Sequence, residues 1–261
     1  MTIPAGIDTP EVLVDLDILD RNITRMADTA AAKGLALRPH AKTHKIPEIA
    51  RRQLAAGAAG LTVATIGEAE VFAAAGVDNL FIAYPLWVSP QKAERLRGLV
   101  AGARVAVGID SAEGARQLGT SLGTAAWRAD VLVEIDSGHH RSGISPEGAG
   151  DVARAASDAG LNGAGGFALP GPSCAPGMPA LAVAQEQDAL ARAAQSLADA
   201  GFDAPVRSGG STPTALLTEG SAATEVRPGV YVFGDAQQLE LERCALEDIA
   251  LTVAATVVSH H

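Results

Sequence analysis

Two cysteines, Cys174 and Cys244, are all that the 261 residues contain. They have no metal-type spacing and cannot build a disulfide framework, so the chain reads as a cytoplasmic protein of a reducing compartment. Positive charge is short as well: 20 lysines and arginines stand against 30 aspartates and glutamates, a net charge of -10. That balance argues against attraction to phosphate backbones or anionic bilayers, so neither nucleic acid nor membrane is an expected partner. The longest apolar run near the end, Ile249 to Val258, is far too short to span a bilayer. Met1 to Pro10 lacks the basic segment and apolar core of a secretory signal. What the chain has in plenty is apolar residues, 48 % against 19 % charged, enough to bury the core of a single α/β barrel.

Short β-like runs and helical runs take turns along the sequence. Glu11 to Asp17 alternates like a strand, and a helix from about Ile18 to Lys33 follows, stopped by Gly34. The next strand candidates are Leu35 to Ala41, Gly60 to Ala64, Asn79 to Ala83, Arg104 to Ile109, Asp130 to Ile135, Asn162 to Ala168, Pro205 to Ser208 and Thr224 to Val226. Helices fall between them, one opened by Thr65-Ile66-Gly67-Glu68, which has capping-box spacing. Eight βα units predict parallel strands joined by helical crossovers and closed into a ring, the α/β class with a (β/α)8 TIM barrel.

In the first of these strands Leu37, Pro39 and Ala41 share one face while Arg38, His40 and Lys42 share the other. Three nitrogen groups on an inward face are costly unless they are hydrogen-bonded or serve a ligand. Lys42 stands where strand becomes loop, in reach of a bound molecule at the rim that holds barrel active sites. Across that rim, Ser208-Gly209-Gly210-Ser211-Thr212-Pro213-Thr214 and Arg227-Pro228-Gly229-Val230-Tyr231 follow strands seven and eight, where barrels commonly hold a phosphate. Glycine amides, hydroxyls and a short helix begun at Thr212-Pro213 are expected to face that anion. A lysine opposite a phosphate site is the layout expected for pyridoxal 5'-phosphate.

The segments Arg38 to Lys45, Asp136 to Gly143, Ser208 to Thr214 and Glu225 to Val232 resemble those of the fold-type III pyridoxal phosphate enzymes, the alanine racemase-like barrels. Within them, Arg-Pro-His-Ala-Lys-Thr-His-Lys and Ser-Gly-Gly-Ser-Thr-Pro-Thr are similar to the D-threonine aldolase and D-serine dehydratase branch. The similarity runs from Thr9 to the last residue. It implies that Lys42 forms the Schiff base and that Ser208, Gly209, Gly210, Ser211, Thr212, Gly229, Val230 and Tyr231 hold the phosphate, with His40 beside the cofactor. Arg141 and Arg227 occupy positions where the family places arginines near the ring's phenolic oxygen or its pyridine nitrogen; which arginine serves which atom stays open. His44 is a candidate proton carrier.

The sequence departs from the family at two places. Ala168 to Cys174 stands where the family tends to read Thr-His-Pro-Gly-His-Ser-Tyr, and Phe233-Gly234-Asp235 where it reads Phe-Tyr-Asp. Cys174 reads as a small buried hydrophobe, and His139-His140, adjacent residues that point apart, as no metal pair. The resemblance implies a divalent metal in full-length relatives, with ligands from a carboxyl-terminal domain, so no metal ligand is assigned here. The expected organisation is a barrel over 9–235, with the strand Val12 to Leu16 joining a second β domain whose incomplete start is 236–261. The expected partners are a small D-amino acid and a second copy in a homodimer. The expected activity is cleavage of a β-hydroxy D-amino acid to glycine and an aldehyde, in the manner of D-threonine aldolase. The alternatives are a D-serine dehydratase, an amino-acid racemase, or a pyridoxal phosphate-binding protein without turnover.

Overall fold

The computed structural model describes residues 6–220 and 222–260, so the reading of Met1 to Pro10 falls partly outside the described residues. In chain order the first half comprises β1 (Glu11–Val14), α1 (Leu16–Ala32), β2 (Ala36–Leu37), α2 (Pro47–Ala55), β3 (Leu61–Val63), α3 (Ile66–Ala74), β4 (Asn79–Pro85), α4 (Pro90–Gly102), β5 (Arg104–Ile109), α5 (Ala112–Leu122) and β6 (Ala129–Ile135). The second half comprises α6 (Ala149–Asp158), β7 (Asn162–Ala168), α7 (Pro179–Asp199), β8 (Val206–Gly209), α8 (Thr212–Ala215), β9 (Glu225–Val226), α9 (Ala236–Glu240) and β10 (Leu251–Ala254). Side-chain caps set where several helices begin: Asp15 accepts from the amides of Asp17 and Ile18 at α1, and Thr65 from that of Glu68 at α3. The Glu68 carboxylate reaches back to the amide of Ala64 at 2.7 Å, one residue before the position a capping box uses.

Strands β2 to β9 form one eight-stranded sheet in the order β2-β9-β8-β7-β6-β5-β4-β3, with every pair parallel. Its two ends meet. His40 bridges Thr62, and the amides of Ala59 and Thr62 donate to the carbonyls of Leu37 and Pro39, each at 2.8 Å. The result is the (β/α)8 barrel that the eight alternating runs predict. The first barrel strand is shorter than expected, because the chain turns into a 3-10 helix at Ala41–Thr43 with His40 at its cap. Pro39 has no N–H to extend the ladder.

Two apolar layers hold the barrel. Outside the sheet, residues such as Leu19, Leu61, Phe72, Leu96, Leu118, Ile135 and Leu190 are fully buried between strands and helices. Inside it, Phe81, Leu132 and Phe167 pack among themselves, with Ala83, Ala106 and Val206 around them. Phe81 and Phe167 meet edge to face at 5.0 Å, and a side chain at Gly108 would collide with the Phe167 ring. This aromatic plug closes the barrel below its carboxyl-terminal rim and underlies the site. Away from the barrel, β1 and β10 pair antiparallel, Glu11 with Ala254 through Val14 with Leu251.

Candidate active site

A cavity of about 370 Å³ opens at the rim, within the size range of small-molecule sites. It is lined by His40, Lys42, Arg141, Gly210, Ser211, Thr212, Arg227, Gly229 and Val230 among the expected residues. Lys42 stands on the 3-10 turn, its amide directed at the His40 imidazole. Burial first, then the guanidinium groups of Arg141 and Arg227, hold the Lys42 amine below the usual lysine range. That favours the neutral, nucleophilic form. Burial, followed by the charges of Lys42 and Arg227, pushes His40 down to about 3, so its ring is neutral at physiological pH.

Arg227 forms the floor. It is buried, donating to the Ser208 hydroxyl at 2.7 Å and the Ala168 carbonyl at 2.5 Å, and its guanidinium lies 5.4 Å from the centre of the Phe167 ring. Ser208 in turn donates to Glu225, whose other oxygen receives Arg38 at 2.7 Å. Arg38, which also bonds Asn79, is thus satisfied beneath the cavity rather than on its wall. The inward row of nitrogens divides: Arg38 builds the barrel, while His40 and Lys42 face the ligand space.

The Arg141 loop is shaped by Asp136. Burial opposes its charge, yet hydrogen bonds from the amides of His140 and Gly138 and from the His140 ring hold its carboxyl below the usual range. The turn brings Arg141 to the cavity with no hydrogen-bond acceptor of its own among the described residues. His140 is spent on Asp136 at 2.7 Å. Among the described residues no group of three histidines, cysteines or acidic residues could hold a metal ion.

The loops after β8 and β9, expected to hold a phosphate across the rim from Lys42, instead lie beside its turn, because β9 pairs with β2 and Pro228 accepts from the amide of His40 at 2.9 Å. The Thr212 hydroxyl accepts from the amides of Gly229 and Tyr231 at 3.1 and 3.3 Å, tying the two loops together. Ser211's amide is occupied by Thr214, and Gly210's by the carboxylate of Glu186. The glycine pair therefore does not leave both amides open to an anion. The amides of Thr212 and Val230, both on cavity-lining residues, lack a protein acceptor among the described residues. Gly229 has room for nothing larger, since a Cβ there would lie 2.8 Å from the Thr43 hydroxyl.

Four expected residues lie behind the wall. Ser208 and Gly209 back it, and the Tyr231 hydroxyl accepts from Gln53 at 3.0 Å in the interior. His44 is buried, receives the Ile46 amide on its Nδ1 and is pushed by burial to about 4; it does not line the cavity. Cys174, expected as a buried hydrophobe, is exposed and lines the mouth. Two aspects of the site escaped the motifs. Glu134 reaches the wall from β6, receiving the Ser142 hydroxyl at 2.8 Å, and its second oxygen is buried without a partner among the described residues. Burial raises its pKa. Inward parity with Leu132, two residues earlier, was the signal that could have found it. Gln237 and Gln238 bring α9 to the same cavity.

These groups fit a flat aldehyde cofactor bearing a phosphate: an amine with lowered pKa, two unclaimed amides at a glycine-walled lip in the same cavity, and cations at the floor and wall. Residues 14–237 match the family described as alanine racemase, N-terminal domain. The chain belongs to that family. It is thereby one of the fold-type III pyridoxal phosphate enzymes, as the motifs suggest. A D-threo-3-hydroxyaspartate dehydratase of Delftia sp. (strain HT23) is 38% identical over 265 residues, 97% of this chain and 68% of the relative. A D-threonine aldolase of Arthrobacter sp is 35% identical over 268 residues, 98% of this chain and 69% of the relative. The solved structure of the Delftia dehydratase superposes with a TM-score of 0.90 at 36% identity, covering 98% of this chain and 69% of that one. The chain spans about two thirds of the length of each of these relatives. Among the described residues no helix is long and apolar enough to cross a membrane.

Proposed function

We propose that this chain carries the catalytic barrel of a pyridoxal phosphate-dependent lyase acting on β-hydroxy D-amino acids. The observation that carries this reading is the presence, in one cavity, of an amine of depressed pKa at Lys42 and two unclaimed amides at Thr212 and Val230. Similarity to a dehydratase and an aldolase of β-hydroxy D-amino acids supports the substrate class.

Lys42 is the residue to hold the cofactor covalently. The amides of Thr212 and Val230 would hold its phosphate, with Gly229 leaving room beside them, while Arg227 and Arg141 would supply the positive charges for the ring or a substrate carboxylate. When bound, pyridoxal phosphate supplies an electron sink for negative charge at the carbon bearing the amino group. Arginine beside a ring nitrogen stays protonated and gives no proton readily, which limits that sink compared with a carboxylate partner.

Dehydration is the reading favoured by this chain's residues over the aldol cleavage expected from the motifs. It needs a base for the α proton and a proton for the departing β-hydroxyl; the Lys42 amine can be the first, and Glu134, which burial biases toward its protonated form, can supply the second so that water leaves. Aldol cleavage needs instead a base at the β-hydroxyl itself, and His40, beside Lys42, is a very weak base at about 3. Incubating the holoprotein with D-threonine, D-serine and D-threo-3-hydroxyaspartate, with and without a divalent metal, tests this. A keto acid supports dehydration, an aldehyde restores aldol cleavage, L-amino acid indicates a racemase, and a yellow but inert protein indicates cofactor binding alone.

A further inference from the structure

Glu186 on α7 has no place in the reaction, yet it is entirely buried against the cavity wall. Both of its carboxyl oxygens accept from one donor, the amide of Gly210, at 3.0 and 2.9 Å. The glycine pair is shaped around it. A Cβ at Gly209 would lie 2.8 Å from the Glu186 carboxyl, and Gly210 holds a φ of +75° that turns its peptide toward it. Gly210 also lines the cavity, between Glu186 and the ligand space. Only the peptide wall separates this carboxyl from a bound anion.

We propose that Glu186 is a positioning residue of the phosphate cradle and that it takes up a proton from solution when the phosphate of the cofactor binds. This rests on the cofactor reading above. An ionised carboxylate needs several donors when fully buried, and among the described residues Glu186 has one. Arg227 is the charged group that faces it, and Arg227's charge is shared with Glu225 and Glu134, with Arg38 opposing from beyond. Burial accordingly raises the Glu186 pKa to about 7, against the Gly210 hydrogen bond and Arg227, which lower it. A phosphate monoester brings nearly two negative charges to the other side of Gly210, and the protonated acid is then the favoured partner. Its hydroxyl can no longer hold the Gly210 amide on both oxygens, so the loop gains freedom to close on the anion.

Pyridoxine 5'-phosphate, which has the ring and phosphate but no aldehyde, separates this effect from chemistry at Lys42. It is titrated calorimetrically into the chain and into Glu186→Gln between pH 6 and pH 8, in buffers of different ionisation enthalpy. Wild-type affinity is expected to fall about five- to tenfold more than that of the variant over this range, with roughly half a proton more taken up at neutral pH by the wild type than by the variant. Equal pH slopes and equal proton counts overturn the proposal and leave the cofactor site intact. If neither protein binds the ligand at any pH, the cofactor reading itself falls. A measurement on the wild type guards against a misfolded variant: the Gly210 amide proton resonance should titrate near neutral pH, and its midpoint should rise when ligand is present. A resonance indifferent to pH overturns the assignment.

Discussion

Replacing Arg227 with methionine tests how the floor of the site is held. The guanidinium is buried, gives two hydrogen bonds, to Ser208 and Ala168, and sits among the carboxyls of Glu186, Glu225 and Glu134. Methionine fills much of the volume against Phe81 and Phe167 but leaves those carboxyls without their shared cation. Removing one partner from a buried charge cluster costs about 3–5 kcal/mol, which for a chain of 261 residues lowers Tm by roughly 5–10 °C. The sign with pH follows from the acids. Glu186 has a folded pKa of about 7, raised above its unfolded value, so its contribution is present below the unfolded pKa and is lost as pH rises through about 7. Without Arg227 its folded pKa rises further. The deficit of Arg227→Met should therefore be larger at pH 8 than at pH 5.5, as read by urea unfolding of both proteins at each pH. A loss under about 1 kcal/mol, or one independent of pH, refutes the shared-cation description of the floor.

Thr212→Val keeps the side-chain shape but strips the acceptor from the amides of Gly229 and Tyr231. Each orphaned donor costs about 1–3 kcal/mol, and inorganic phosphate should bind more weakly; unchanged unfolding and phosphate binding argue against Thr212 as the tie between the two loops. Phe167→Ala opens a void beneath the floor and should destabilise by about 3–5 kcal/mol in denaturant, while Phe167→Leu recovers most of the loss. Asp15→Ala removes the acceptor for two amides at the start of α1 and should cost roughly 0.5–2 kcal/mol without altering cofactor binding, a control that separates scaffold from site.

The barrel was legible because its eight apolar runs are separated by helices with ordinary signals, such as Thr65 before α3 and Gly34 after α1. Lys42 was legible from the strand that precedes it, although the chain leaves strand geometry at Ala41, so parity alone overstates how Arg38 and Lys42 share a face. Glu186 was not. It lies between Gln185 and Gln187 on a long helix, where three polar residues look like a solvated turn, and only the tertiary packing of α7 on β8 brings it to Gly210. The glycine pair was read for an anion outside the protein. One of its amides instead meets a carboxylate inside it, and a sequence does not distinguish those two acceptors. Tyr231 and His44 follow the same lesson, since each lies next to cavity residues in sequence while its side chain packs in the interior.

Covalent attachment at Lys42 is the claim from which the proposed reaction follows. Pyridoxal phosphate added to the purified chain should produce a visible absorbance, and borohydride reduction followed by peptide mapping should leave the label on the peptide containing Lys42. A label on Lys45, Lys92 or another amine, or no absorbance at any cofactor concentration, contradicts it.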